Sequence, residues 1–165
     1  MTYMEHALSL ARRAVGSVSP NPPVGALVIR DGEVEGEGWT QPSGQAHAEV
    51  MALRRAGSRA AGATLYVTLE PCSHTGRTPP CAQAIIEAGI VEVHAAAVDP
   101  NPLVYSGGLS HLKKAGINTH VGECETEARQ LMEAYIKWTT TGLPFVTAKF
   151  AISLDGKIAT HTGDS

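Results

Sequence analysis

The sequence has little of what marks a membrane, secreted or nucleic-acid-coating protein. None of its apolar runs approaches the ~20 residues that a spanning helix needs. Its opening, MTYMEHALSLARRAVGS, holds an acid and two arginines within an interrupted apolar pattern, which is not the pattern of a signal peptide. A cytoplasmic protein without a membrane partner is therefore expected. Basic runs are also missing, and the formal net charge is −3. An extended nucleic-acid surface needs clustered Lys and Arg to replace counterions, so no nucleic-acid partner is expected. A small phosphorylated substrate needs only one or two cations and stays open. There are only three cysteines. In a reducing compartment these point to metal binding or catalysis rather than disulfides. No internal repeat or low-complexity tract interrupts the chain.

What is present is an ordinary globular composition, 43% hydrophobic and 18% charged over 165 residues. That length suits one domain with its own core. Met4, Ala7, Leu8, Ala11 and Val15 recur at helical spacing over residues 2–15. SVSPNPPVG is a loop by its prolines. VGALVIR and GEVEGEGW flank Asp31-Gly32, a strong hairpin signal. A helix is expected from near His47 to Gly57. ATLYVTLE has little polar interruption, which predicts a strand buried on both faces. Pro79 and Pro80 suit the start of a helix that Gly89 ends. IVEVHAAAV follows as a strand, LSHLKKA as a short helix and INTHV as a short strand. Residues 123–140 are expected to form one last helix. A hairpin followed by alternating helix and strand predicts an α/β fold of three layers, α/β/α, around a mixed central sheet.

Two short stretches carry the chemistry. HAEV places His47 two residues before Glu49, and PCSHTGRTPPC holds Cys72 and Cys81, each directly after a proline. His47 and Glu49 open one helix, Cys72 follows a strand end, and Cys81 lies in the first turn of the next helix. Ligands of layered α/β folds gather at such places, and a helix N-terminus favours thiolate over thiol. One His and two Cys fit Zn2+, leaving one position of a tetrahedron open. Structural zinc usually takes four protein ligands, so three suggest catalysis, with the pKa of a water in the open position lowered to about 7. Glu49 would then shuttle protons, which is the chemistry of the zinc deaminases. Neither an HxE nor a buried Cys means anything alone; the ordered combination is specific. Cys124 and His6, His94, His111, His120 and His161 lack a partner motif and are expected to be ordinary residues.

SPNPPVGALVI, HAEVMAL, GATLYVTLEPCSHTGRTPPC, AIIEAGI and DPNPLV together resemble the deaminase domain of the bifunctional riboflavin-biosynthesis deaminase/reductases. Relatives acting on cytidine or tRNA adenosine usually have two residues between the cysteines; here there are eight, SHTGRTPP, the mark of that family. The resemblance implies a cytidine-deaminase-like fold that releases ammonia from 2,5-diamino-6-(5-phosphoribosylamino)pyrimidin-4-one. It assigns His47, Cys72 and Cys81 to zinc and Glu49 to proton transfer. Asn21 is positioned like the family's base-contacting asparagine. His74, Arg77 and Thr78 lie in the loop between the cysteines as candidate substrate contacts, and His74 and Arg77 suit the phosphate or ribose as cationic donors. Asp99 and Asn101 in DPNP are candidate pocket residues, though both are ordinary turn formers. Thr40 departs from the pattern, standing where many members carry histidine. AKFAISLDGKIA resembles the opening of the family's reductase domain. Residues 1–142 are thus expected to be the deaminase domain and residues 143–165 the start of a truncated reductase-like domain, without reductase activity or a nicotinamide cofactor. The tail is expected to pack on its own domain or on a second copy in a homo-oligomer, a dimer or tetramer. Two other readings stay open: a deaminase of cytidine or tRNA adenosine, and a non-catalytic zinc scaffold with a fourth protein ligand.

Overall fold

A computed structural model describes residues 1–75, 79–102 and 107–164. Helix α1 (Tyr3–Arg12) starts at a capping box in which Thr2 and Glu5 satisfy each other's backbone N–H groups. The hairpin β1 (Gly25–Arg30) and β2 (Glu33–Trp39) turns at Asp31-Gly32, both with positive φ (55° and 83°), as a two-residue turn of this kind requires. Then come α2 (Ala48–Ala56), β3 (Thr64–Val67), α3 (Cys81–Glu87), β4 (Glu92–Ala95), α4 (Gly107–Lys114) and β5 (Asn118–Val121). Helices α5 (Glu125–Leu131) and α6 (Glu133–Thr141) close the described order. No helix among the described residues is long and apolar enough to cross a membrane.

The five strands form one mixed sheet in the order β2-β1-β3-β4-β5. β1 is antiparallel to both β2 and β3, and β3-β4-β5 are parallel. Leu27, Val28, Leu65, Val67 and Val93 fill the core from the strands, and Met4, Leu8, Ala52 and Ile85 from the helices. The expected three-layer mixed α/β architecture is the one observed.

Two close approaches fix how the helices lie. A Cβ on Gly25 would fall 2.0 Å from the Ala7 carbonyl oxygen of α1. On Gly38 it would fall 2.1 Å from the Ala48 oxygen of α2, and on Gly36 2.2 Å from the Ala52 oxygen. The register pairs Ala26 with Gly38, so Gly25 and Gly38 face opposite sides, and α1 and α2 press on opposite faces of the sheet. Glycine is the only residue that lets helix α2 rest its backbone on β2 at this distance.

Two expectations change. β3 is buried on one face only: Leu65 and Val67 are inside, while Thr64 and Tyr66 are half-buried. The last helix is two, broken at Met132 (φ −106°, ψ 14°), whose side chain is buried in the core. Residues 143–164 form no helix or strand and are exposed, so the tail does not pack on its own domain.

Substituting Gly38→Ala should lift the N-terminal half of α2 off the sheet. Overpacking of this kind costs about 1–3 kcal/mol. Urea unfolding of the variant should show that loss at an unchanged slope. Stability equal to the parent would mean that α2 is free to shift.

Candidate functional site

The site is assembled at the C-terminal end of β3, where the chain runs on through Thr68, Leu69, Glu70 and Pro71 to Cys72. His47 is the N-cap of α2, with extended backbone (φ −74°, ψ 166°) and no capping bond from its side chain. Its ring is turned instead toward the two cysteines. Cys81 is the first residue of α3, set by Pro80 at φ −59°. Two of the N–H groups that open α3 are satisfied by Cys72: the Cys81 N–H donates to its Sγ (3.3 Å) and the Ala82 N–H to its carbonyl oxygen (3.0 Å). Those bonds tie the strand-end cysteine to the helix-start cysteine, whatever path the eight residues between them take.

His47 Nδ1 lies 3.2 Å from Cys81 Sγ and 3.7 Å from Cys72 Sγ. All three donor atoms fall within 4.8 Å of one another. A tetrahedral zinc with Zn–S near 2.3 Å and Zn–N near 2.0 Å sets its ligands about 3.5–4 Å apart, so the set fits such an ion. No fourth His, Cys, Asp or Glu joins this group among the described residues, which goes against the scaffold reading.

The electrostatics agree with the geometry. The two thiols interact so closely that the first proton leaves readily and the second reluctantly. Cys72 is the easier to ionise: the bond from the Cys81 thiol, then His47 and the Cys81 N–H, outweigh burial and bring it down to about 4. Cys81 is pushed up, first by its bond to Cys72 and then by burial. His47 is raised, chiefly by its bond to Cys72. Glu49, buried in the first turn of α2, is pushed up to about 7, first by burial and then by the charge of Cys72, against the opposing effect of His47. A carboxyl in that range exists in both protonation states near neutral pH.

A cavity of about 290 Å3 opens on this cluster. His47, Glu49 and Cys72 line it, and so do four of the expected contact residues, Asn21, His74, Asp99 and Asn101. The other two, Arg77 and Thr78, lie outside the described residues. Asp99 is both a turn former and a wall: its Oδ1 accepts the Asn101 N–H (2.9 Å) while its carboxylate faces the cavity. Thr40 lines the cavity too, with its hydroxyl held to the Val24 backbone.

Sequence reasoning missed Glu70 and α6. Glu70 is buried, and its two carboxylate oxygens accept the backbone N–H groups of Asp99 and Leu109 (3.2 Å each). It thereby ties the β4 loop and the start of α4 to the strand end that carries Cys72. Gly108 permits this closeness, since a Cβ there would lie 1.7 Å from the Pro71 oxygen. An acid directly before Pro71-Cys72 at the end of a buried strand was the available signal. Tyr135, Trp138 and Thr139 bring α6 into the cavity wall, and the Tyr135 hydroxyl donates to both Asp99 oxygens (3.0 and 3.1 Å). That pair spans 36 residues, and nothing local announces it.

The family model for the cytidine and deoxycytidylate deaminase zinc-binding region matches residues 1–97. The chain is 53% identical over 163 residues to the riboflavin biosynthesis protein RibD of Aquifex aeolicus, covering 99% of this chain and 46% of that protein. It is 50% identical to its Escherichia coli namesake over 163 residues, covering 99% of this chain and 44% of that one. A crystal structure of the diaminohydroxyphosphoribosylaminopyrimidine deaminase/5-amino-6-(5-phosphoribosylamino)uracil reductase from Thermotoga maritima superposes with a TM-score of 0.92. It is 47% identical to this chain and covers 99% of it, while 47% of that chain is matched. The chain thus spans just under half the length of these relatives.

Glu70→Ala should leave two buried N–H groups without acceptors. At ~1–3 kcal/mol for each, the combined loss should be about 2–6 kcal/mol, read from denaturant unfolding. A loss below about 1 kcal/mol would show that water replaces the carboxylate there.

Proposed function

The chain belongs to the cytidine and deoxycytidylate deaminase family, and from that premise we propose that it deaminates 2,5-diamino-6-(5-phosphoribosylamino)pyrimidin-4-one to 5-amino-6-(5-phosphoribosylamino)uracil. The observation that carries this reading is a buried carboxyl, Glu49, beside a three-donor His/Cys/Cys cluster at the floor of a cavity sized for a small molecule. The similarity over nearly the whole chain to riboflavin biosynthesis proteins supports this substrate over cytidine or tRNA adenosine. So does the net charge of −3, which does not suit a tRNA.

His47, Cys72 and Cys81 would hold zinc, which would supply the Lewis acidity that makes water nucleophilic near neutral pH. Glu49 takes a proton from the attacking water and delivers it to a ring nitrogen as the C2–O bond forms. It then carries the remaining proton to the 2-amino group. The C2–N bond breaks, ammonia leaves, and C2 is left as a carbonyl. Asn21 orients the base with its amide. Asp99 and Asn101 position the ribose side of the substrate. His74 and Arg77, from the loop between the cysteines, take the ribose and phosphate, to which cationic donors are suited, and Thr78 in the same loop is a further substrate contact.

Ammonia release from the diaminopyrimidine phosphate, measured beside zinc content, tests this. Cys72→Ser and Cys81→Ser should lose metal and activity together. Glu49→Gln should keep zinc and lose turnover by several orders of magnitude, since an amide cannot shuttle protons. Arg77→Ala should weaken binding more than it slows bound-state chemistry, because a distant phosphate gives mostly uniform binding energy. Near-normal turnover in Glu49→Gln, or full zinc in either cysteine variant, would remove that residue from its role.

Residues 1–142 are then the deaminase domain, and residues 143–165 open a second, reductase-like domain. Val146, Phe150, Ile152 and Leu154 are all well exposed on that segment. Such a segment seeks a partner surface, and the proposed one lies on a second copy in a homo-oligomer. Deleting residues 144–165 should lower the solution mass measured by light scattering while zinc content and deamination persist. An unchanged mass would contradict assembly through the tail.

A further inference from the structure

The α1 face of the sheet carries a second group of metal donors, unrelated to the cavity. The register sets Tyr66, His94 and His120 side by side on β3, β4 and β5. Their rings stack in sequence, Tyr66 on His94 and His94 on His120, each pair 4.6 Å between centroids. Glu92 stands two residues before His94 and so on the same face. Its Oε1 lies 2.7 Å from His94 Nε2 and 3.3 Å from His120 Nε2. One donor from position i, one from i+2 and one from the neighbouring strand are thus gathered at one place on the sheet face. The three donor atoms lie within 4.8 Å of one another.

We propose that Glu92, His94 and His120 form a second divalent-metal site, on the open sheet face at the β5 edge. Two imidazoles and one carboxylate suit zinc, nickel or copper and discriminate against magnesium and calcium, which prefer all-oxygen shells. Nitrogen and oxygen ligands about 2.0–2.1 Å from a tetrahedral zinc lie roughly 3.3 Å apart; His120 Nε2 stands 3.3 Å from Glu92 Oε1, while His94 Nε2, at 2.7 Å, would move slightly away to admit the ion. Both imidazoles bind metal in the neutral tautomer with hydrogen on Nδ1, which costs no net charge. His94 is held by its stack between Tyr66 and His120. The side chain of His120 is 57% exposed, so it has room to turn its in-plane lone pair toward the point the other two donors share. A metal here clasps the edge strand β5 to β4, which adds stability through binding to the folded state alone.

The test is zinc stoichiometry on the full chain. Parent, His94→Ala/His120→Ala and Glu92→Gln proteins are dialysed to equilibrium against micromolar free zinc at pH 7.5, and bound zinc is measured per chain. The double variant should bind one equivalent fewer than the parent. Glu92→Gln should need at least ten times more free zinc to fill the same equivalent, and excess magnesium should displace none of it. Circular dichroism of each variant controls for folding, since His120 is exposed and its loss leaves the core intact. The criterion is a difference of one equivalent, so it holds whatever the Cys72/Cys81 site binds. Equal stoichiometry in parent and double variant overturns the proposal.

Discussion

The site depends on the meeting of two helix N-termini at the end of one strand. Cys72 ends the run from β3, and its sulfur and carbonyl oxygen accept the first two N–H groups of α3. His47 caps α2, whose backbone lies on β2 at a distance that only Gly36 and Gly38 allow. Each contact is between backbone and backbone, or backbone and sulfur. The donor atoms are therefore placed by the fold itself rather than by flexible side chains. Helix N-termini carry partial positive charge, and both of these favour the anions gathered there.

Burial then gives the cluster its chemical character. Glu49 sits where its charge is least welcome, and its pKa moves to about 7. The closely coupled thiols supply one easily formed thiolate. The cavity above them is walled by segments distant in sequence, and Glu70 and Tyr135 hold those segments together. Glu70 ties the β4 loop and α4 to the strand end, and Tyr135 fastens α6 onto Asp99. Thus α6, the helix that leads into the tail, contributes directly to the cavity wall, and movement of that helix is felt by Asp99.

The features legible in the sequence were those that neighbours in the chain determine. Asp31-Gly32 specified its turn through the φ values both residues adopt, and Gly57 and Gly89 ended α2 and α3 where expected. His47, Cys72 and Cys81 were legible because one residue type at each of three strand or helix ends is a local pattern. Pairings across long stretches of chain were not. Asp99 meets Tyr135, and Glu70 meets Leu109, across 36 and 39 residues of chain. His94 and His120 look unremarkable in sequence, and the parallel register of β4 and β5 alone sets them beside each other near Glu92. The break at Met132 has no Pro or Gly to announce it, and the apolar spacing runs on through it. Little polar interruption does not distinguish a strand covered on both faces from one covered on one, and Tyr66 is half-buried because the helix layer leaves the β4–β5 side of the α1 face open.

The central claim is that His47, Cys72 and Cys81 hold a metal through three protein ligands, with a fourth position open beside Glu49. An anomalous-difference map at the zinc edge, from crystals of the zinc-loaded chain, measures this directly. The account predicts a peak bounded by those three side chains, with a solvent atom in the fourth position within hydrogen-bond reach of the Glu49 carboxyl. A fourth protein ligand closing the site, or no peak between these residues, would contradict it.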